Sequence, residues 1–189
     1  MNTPAHGLLN LLLLSRRDEP ESVAPVAIGA VLPDLPMILF YAWERLRAVP
    51  EATIWSIDYH HPSWQAVFDA FHSLPLLGLG WIVARARRAR RLGLLLLSMT
   101  LHALADLPLH REDGHRHLFP LSGWRFESAL SYWDPAHGGR WFQLVELLLV
   151  VVGGVALWRR FPGRLQRTAV ALLAGCYLGF VAFATWTWT

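Results

Sequence analysis

The stretch LHALADLPLH, residues 101–110, decides how the chain is read. Apart from His102, Asp106 and His110 it is as apolar as a membrane helix. His102 and Asp106 are four residues apart, a spacing that on a helix puts both side chains on one face, one turn from each other. A charge inside a bilayer costs at least ~2.5–3.5 kcal/mol, so groups in such a place face one another, a cavity or an ion.

The surrounding chain has the composition of a lipid-embedded protein. Of 189 residues, 54% are hydrophobic and only 16% charged, against about 25% charged in a soluble domain; mean hydropathy is +0.32. The formal net charge is +3, and every basic residue apart from histidine is arginine. The arginines cluster between apolar segments, the pattern of cytoplasmic loops rather than of a nucleic-acid-binding face, so no nucleic-acid partner is expected. The single cysteine, Cys176, sits in an apolar segment and supports neither a disulfide nor a thiolate metal site. The N-terminal MNTPAHGLLNLLLLSRR has its arginines after the apolar part, unlike a secretory signal, and GLLNLLLL is too short to span a bilayer.

Five segments approach spanning length: Val23–Trp43, interrupted by Asp34 between Pro33 and Pro36; Ala66–Ala84, with Asp69 and His72; Leu92–Leu109, with His102 and Asp106; Phe142–Trp158, with Glu146; and Thr168–Trp188. A buried soluble helical bundle is the competing account of such runs. Tryptophans favour the membrane: Trp43, Trp64, Trp141, Trp158, Trp186 and Trp188 stand at segment ends, where interfacial aromatic belts lie. Arg16–Arg17, RARRARR (85–91) and RRFPGRLQR (159–167) would face the cytoplasm, leaving the link Glu44–Gln65, the loop His110–Trp141 and the C-terminus outside. The expected fold is all-α: one membrane-embedded helical domain over residues 1–189, about five transmembrane helices plus a short N-terminal re-entrant helix, with an extracytoplasmic loop at about 110–141.

Counted from the nearest arginine-rich edge, or for Asp34 from the start of its segment, His6, Asp34, His72, His102, Asp106 and Glu146 lie ten to fifteen residues in. At 1.5 Å rise per residue that is roughly 15–22 Å for all of them. Three histidines and three carboxylates from separate segments thus share one layer, a plausible metal-binding set. Imidazole and carboxylate suit Zn²⁺, and carboxylate-rich sites also take Mn²⁺ or Fe. For His102 and Asp106 alone, a structural pair in which the carboxylate orients the imidazole is the alternative.

The ordered set His6, GAVLPDLP (29–36), FHSLP (71–75), LHALADLPLH (101–110) and HRHLFPLSGWRF (115–126) resembles the family of predicted membrane-bound metal-dependent hydrolases, which shows an N-terminal His, an LPD motif, a THS-like motif and an HxxxD motif. The resemblance covers roughly residues 5 to 140. Phe71 stands where the family often has Thr, and HHPSWQAVFDA (60–70) replaces the usual His-Arg-Gly, which leaves His60, His61 and Asp69 without assigned parts in that role. The resemblance implies a metal site made by His6, Asp34, His72, His102 and Asp106. It also implies a helical core remotely similar to zinc-dependent phospholipases C.

Other groups keep two readings. In the loop 111–140, His115, His117, Asp134 and His137 add a second metal or cap the site, or the loop lies on the membrane anchored by Trp124, Phe126, Tyr132 and Trp133. Asp69, three residues before His72, orients that histidine or caps its helix. Glu146 is a general base or further ligand, or a buried carboxyl bonded to a neighbouring helix. The expected function is metal-dependent hydrolysis of a lipid-like phosphoester or ester through a metal-activated water, in a bacterial-type inner membrane, with the site toward the outer half. His6, Asp34, His72, His102 and Asp106 would hold the metal, with Asp69 or Glu146 orienting ligands or moving a proton. The alternatives are a metal-ion or proton transporter and a non-catalytic membrane scaffold with a structural metal site. Membrane lipid is the expected partner and the source of the expected substrate.

Overall fold

The computed structural model describes residues 1–188; the side chains of Thr187 and Trp188, and all of Thr189, lie outside the described residues. The described chain is helical and contains no strand. Ten α-helices follow in order: α1 Thr3–Leu14, α2 Val23–Val31, α3 Leu35–Leu46, α4 Glu51–Ser56, α5 Pro62–His72, α6 Leu74–Ala86, α7 Arg90–Asp106, α8 Gly139–Leu148, α9 Gly154–Arg160 and α10 Arg164–Trp188. A π-helical segment, Leu149–Gly153, makes α8 and α9 one continuous rod.

Three of these rods are long and apolar enough to cross a membrane: Arg90–Leu109, Gly139–Arg160 and Arg164–Trp186. The number becomes five if each of two bent pairs is one span: Pro20–Val31 with Leu35–Leu46, bent by 52°, and Pro62–His72 with Leu74–Ala86, bent by 45°. The sequence located the first break at Asp34 but read Ala66–Ala84 as continuous. Both breaks have the same cause. Pro36 and Pro75 lack the N–H that would continue the preceding helix, and each ring crowds the carbonyl four residues earlier. After the second break Ser73 takes an extended conformation and restarts the helix, its hydroxyl accepting from Leu76 N at 3.2 Å. Pro108 ends α7 in a short 3₁₀ turn, Leu107–Leu109.

The short α1 sits inside the bundle. Its Ala5, His6, Gly7, Leu8, Asn10 and Leu11 are buried, and it packs against α2, α7, α10 and the π segment. Leu8, Leu11, Val26, Val150, Leu157, Phe161 and Tyr177 form the main core around it. A second cluster of Phe40, Ile54, Tyr59 and Phe68 joins α3, α4 and α5, and Trp64 packs there, against Phe40 and Phe68. By contrast Trp43, Trp141, Trp158 and Trp186 are exposed. The outer faces are apolar: only 11% of the best α10 window is buried, although nearly all of it is hydrophobic, a surface that water would not favour.

The α2–α7 contact is close enough to exclude a side chain. A Cβ on Gly29 would stand 2.3 Å from the Leu95 carbonyl oxygen and 2.8 Å from Ser98 Cβ. This approach brings the end of α2, and the Asp34 break beyond it, against the face of α7 that carries His102 and Asp106.

Candidate metal centre

Asp34, His72, His102 and Asp106 each offer one ligand atom, and these atoms all lie within 4.8 Å of one another. Two of the residues stand at the helix breaks and two on α7, so the unwound points of the bent rods meet the continuous one.

Backbone carbonyls set the two imidazoles. His102 Nδ1–H donates to Ala30 O at 2.7 Å and His72 Nδ1–H donates to Phe68 O at 2.9 Å. In the neutral ring this leaves the lone pair on Nε2. Both Nε2 atoms are buried and make no hydrogen bond within the described chain. Instead they face carboxylate oxygens: His102 Nε2 lies 3.0 Å from Asp106 Oδ2 and 3.4 Å from Asp34 Oδ1, and His72 Nε2 lies 3.8 Å from Asp34 Oδ1 and 3.9 Å from Asp106 Oδ2. Where the rings are neutral, lone pairs and anionic oxygens converging in a buried place repel unless a cation lies among them; at His102 a proton on Nε2, shared with Asp106 Oδ2 at 3.0 Å, meets the same need. The donor set of two imidazoles and two carboxylates fits a divalent transition metal such as Zn²⁺.

A second layer holds the carboxylates. Thr3 donates its hydroxyl to Asp34 Oδ2 at 2.6 Å. Asp106 Oδ1 lies 2.8 Å from His6 Nε2, 2.7 Å from the Met1 nitrogen and 3.5 Å from His110 Nε2. His6, expected beside the other ligands, therefore meets the group through the far oxygen of Asp106, and its ring stacks on His102 with centroids 3.7 Å apart. From there it fixes the Asp106 carboxylate through that contact.

Asp69 and Glu146 are not members of the four-residue group. Asp69 is fully buried and accepts from Arg116 N at 2.8 Å and from the Arg116 side chain, with Arg125 Nη2 at 3.7 Å. Its partners are loop residues, these arginines and His115 Nδ1 at 3.8 Å, rather than His72. Glu146 accepts from Asn2 N at 2.6 Å and Asn2 Nδ2 at 2.5 Å, so it anchors the start of α1.

The loop after α7 folds back over the group. His115 stacks on His72 with centroids 3.8 Å apart. His117 O accepts from Leu74 N at 2.9 Å, and His117 Nε2–H donates to Ala103 O at 3.0 Å, which leaves its Nδ1 without a partner. Ser73 donates its hydroxyl to the Phe119 carbonyl. Burial holds His115 well below the ordinary imidazole range, reinforced by His72 and His110, and burial likewise lowers His117. Both stay neutral at pH 7. For His110 burial also favours the neutral form, but Asp106 and Asp113 outweigh it and push its pKa up to about 9. Asp134 and His137 pair with each other at 2.5 Å, and that hydrogen bond lowers the Asp134 pKa. The aromatic residues Trp124, Phe126 and Trp133 are exposed at the loop's rim, whereas Tyr132 packs against the core and against His110. His60 and His61 lie at the start of α5 and are exposed.

The sequence reading passed over His110 and Thr3. His110 carried a signal, since it follows Asp106 by four residues just as Asp106 follows His102. Thr3 carried none. No protein-family model, curated protein or solved structure matches the chain.

Proposed function

We propose that the chain is an integral membrane protein of five spans, two of them broken, with α1 as a re-entrant helix, and that it is a metal-dependent hydrolase. The sequence resemblance to membrane-bound metal-dependent hydrolases points the same way. The observation that carries the proposal is the pair of buried Nε2 atoms on His72 and His102, oriented by carbonyls toward Asp34 and Asp106. Structural zinc sites are mostly built with cysteine, whereas imidazole and carboxylate ligands mark catalytic ones. A divalent cation held there would supply Lewis acidity and lower the pKa of a bound water from 15.7 toward about 7.

The chain's own residues have separable parts in this reading. Asp34, His72, His102 and Asp106 bind the cation. His6 and Thr3 orient the two carboxylates. Asp69 holds the loop over the site through Arg116, and His115 excludes water from the outer side of His72. The arginine-rich loops face the cytoplasm of a bacterial-type inner membrane, with the site toward the outer half, and the substrate is a lipid-like phosphoester or ester reaching the site when the loop lifts.

One observation favours a second reading. All four ligand residues are buried beneath the loop, as in a scaffold whose metal is structural. Metal analysis of the purified chain beside His102→Ala and Asp106→Ala tests the site, with bound metal expected in the first and lost in both variants. Equal metal in all three sinks the metal reading. Where metal is present, turnover of lipid phosphoesters or esters that is abolished by chelation supports the hydrolase. Metal released only on unfolding, with no turnover, supports the scaffold.

A further inference from the structure

At the far end of α6 and α7 from the metal centre, the RARRARR run closes a helical hairpin, and the hairpin leaves an open groove of about 400 Å³. The groove is lined by Trp81, Arg85, Arg88, Gly93, Leu94 and Leu97 among others. We infer that it binds an anionic phospholipid of the surrounding leaflet, with the phosphate between Arg85 and Arg88 and an acyl chain along Leu94 and Leu97; this rests on the membrane reading above but not on the metal.

Charge at the rim supports an anionic headgroup. Arg90, also at the groove, is already engaged by Glu19 at 2.5 Å and Glu21 at 3.3 Å. Among the described residues Arg85 and Arg88 have neither an ion pair nor a side-chain hydrogen bond, and both are exposed. Two uncompensated guanidiniums on one apolar groove match a phosphate that carries its own hydrocarbon.

The backbone at the rim is itself unusual. Arg88 holds φ 53, left-handed, where the α6 C-terminus turns: Ala89 N reaches Ala84 O at 2.9 Å and Arg88 N reaches Arg85 O at 3.1 Å. Glycine fills that position with less strain, so an arginine there gives up backbone ease to place a cation at the mouth. Deeper in, Gly93 leaves the groove open, since a Cβ built on it meets nothing within 4 Å. Trp81, half exposed on α6, gives the mouth the amphipathic aromatic wall common at membrane interfaces. A free anion would have no use for the apolar floor.

The test uses the full chain extracted in a neutral detergent and mixed with equal amounts of dioleoylphosphatidylglycerol and dioleoylphosphatidylcholine, with retained lipid counted by native mass spectrometry. Wild type is expected to retain the anionic lipid over the zwitterionic one. The double variant Arg85→Gln, Arg88→Gln should lose roughly 30-fold in that retention, from the attraction an anionic headgroup exerts on each arginine. Gly93→Phe fills the groove from open space and should expel both lipids while keeping the wild-type helical circular dichroism and metal content. Arg16→Gln with Arg17→Gln, remote from the groove, should retain lipid as wild type does. Equal retention of the two lipids by wild type, or unchanged preference in the double variant, overturns the inference and leaves the metal site untouched. Displacement of the lipid by millimolar inorganic phosphate overturns it in favour of a free-anion site. Recovery of the chain from the soluble fraction without detergent overturns this inference and the membrane reading together.

Discussion

His102 is fixed by Ala30: its Nδ1–H donates to the Ala30 carbonyl at 2.7 Å across the α2–α7 contact, and this turns Nε2 toward Asp34 and Asp106. The contact depends on Gly29, because a Cβ there would stand 2.3 Å from Leu95 O. Gly29→Ala must therefore push α2 from α7 and carry the Ala30 carbonyl with it. Overpacking of this kind costs about 1–3 kcal/mol, and loosening a ligand's orienting bond lowers metal affinity roughly 10- to 100-fold. Thermal unfolding in detergent and zinc titration check the two effects. A variant with wild-type melting and wild-type zinc affinity would show that the carbonyl does not set the imidazole.

Much of this arrangement was legible before any coordinates. Apolar runs bounded by arginine clusters marked the rods, because a helix that faces hydrocarbon has to keep its charges at its ends. His102 and Asp106 shared a face by their spacing alone, and the common depth of Asp34 and His72 put them within reach. What the sequence could not show were contacts made by backbone. Ala30 and Phe68 orient the imidazoles through carbonyls that every residue possesses, so no side-chain pattern announces them. The break at Ser73 was passed over although Pro75 marks it, because Leu74, Leu76 and Leu77 keep the run apolar across it. Asp69 was read as orienting His72 or capping its helix, yet it turns to Arg116, which is 47 residues distant in sequence and unreachable by helical periodicity. The depth count fixes height along the bundle and not which oxygen of Asp106 the His6 ring meets, so the contact of His6 with Oδ1 was not legible from it.

A polar lattice ties α1 into the apolar core. Asn10 Nδ2 donates to Ser98 O and Ser98 Oγ, both at 2.8 Å, and the Ser98 hydroxyl donates to Val26 O at 2.7 Å. All three helices are joined by these bonds, and Asn10 and Ser98 are fully buried. Asn10→Ala removes the donor to Ser98 Oγ, leaves Ser98 O with only its helical partner and opens space in the core, and should lower stability by about 1–3 kcal/mol. Ser98→Ala should cost a similar amount, and the double variant less than the sum, since the two residues share one network. Denaturant unfolding in mixed micelles measures the cycle; strictly additive losses would mean the residues act independently.

Asp69 is expected to act on the loop rather than on the metal. It is buried beneath Arg116 and Arg125, whose side chains are 27% and 36% exposed. Asp69→Asn removes the charge that both guanidiniums face. Because the arginines keep access to solvent, the loss should be about 1–3 kcal/mol, less than for a wholly buried pair. Limited proteolysis should cut faster between residues 110 and 138, while any metal content stays at the wild-type level. Loss of zinc without faster cleavage would place Asp69 in the metal's own environment instead.

Glu146 offers the sharpest separation of anchoring from chemistry. Its two oxygens accept from Asn2 N at 2.6 Å and Asn2 Nδ2 at 2.5 Å, so its carboxylate is committed to the N-terminal end of the helix that carries His6. Glu146→Gln sets an amide NH₂ against one of those donors and should destabilise the protein by about 1–3 kcal/mol. Asn2→Ala removes the side-chain donor and, combined with Glu146→Gln, should cost less than the two changes added together. Any bound metal should be unchanged in all three variants, because the candidate ligand carboxylates are Asp34 and Asp106. A group that moved protons during hydrolysis would behave differently: Glu146→Gln would then abolish turnover while leaving the melting temperature and the coupling to Asn2 near zero change. Melting curves and turnover measured on the same preparations decide between the two, and an anchoring Glu146 predicts that residual turnover follows the folded fraction.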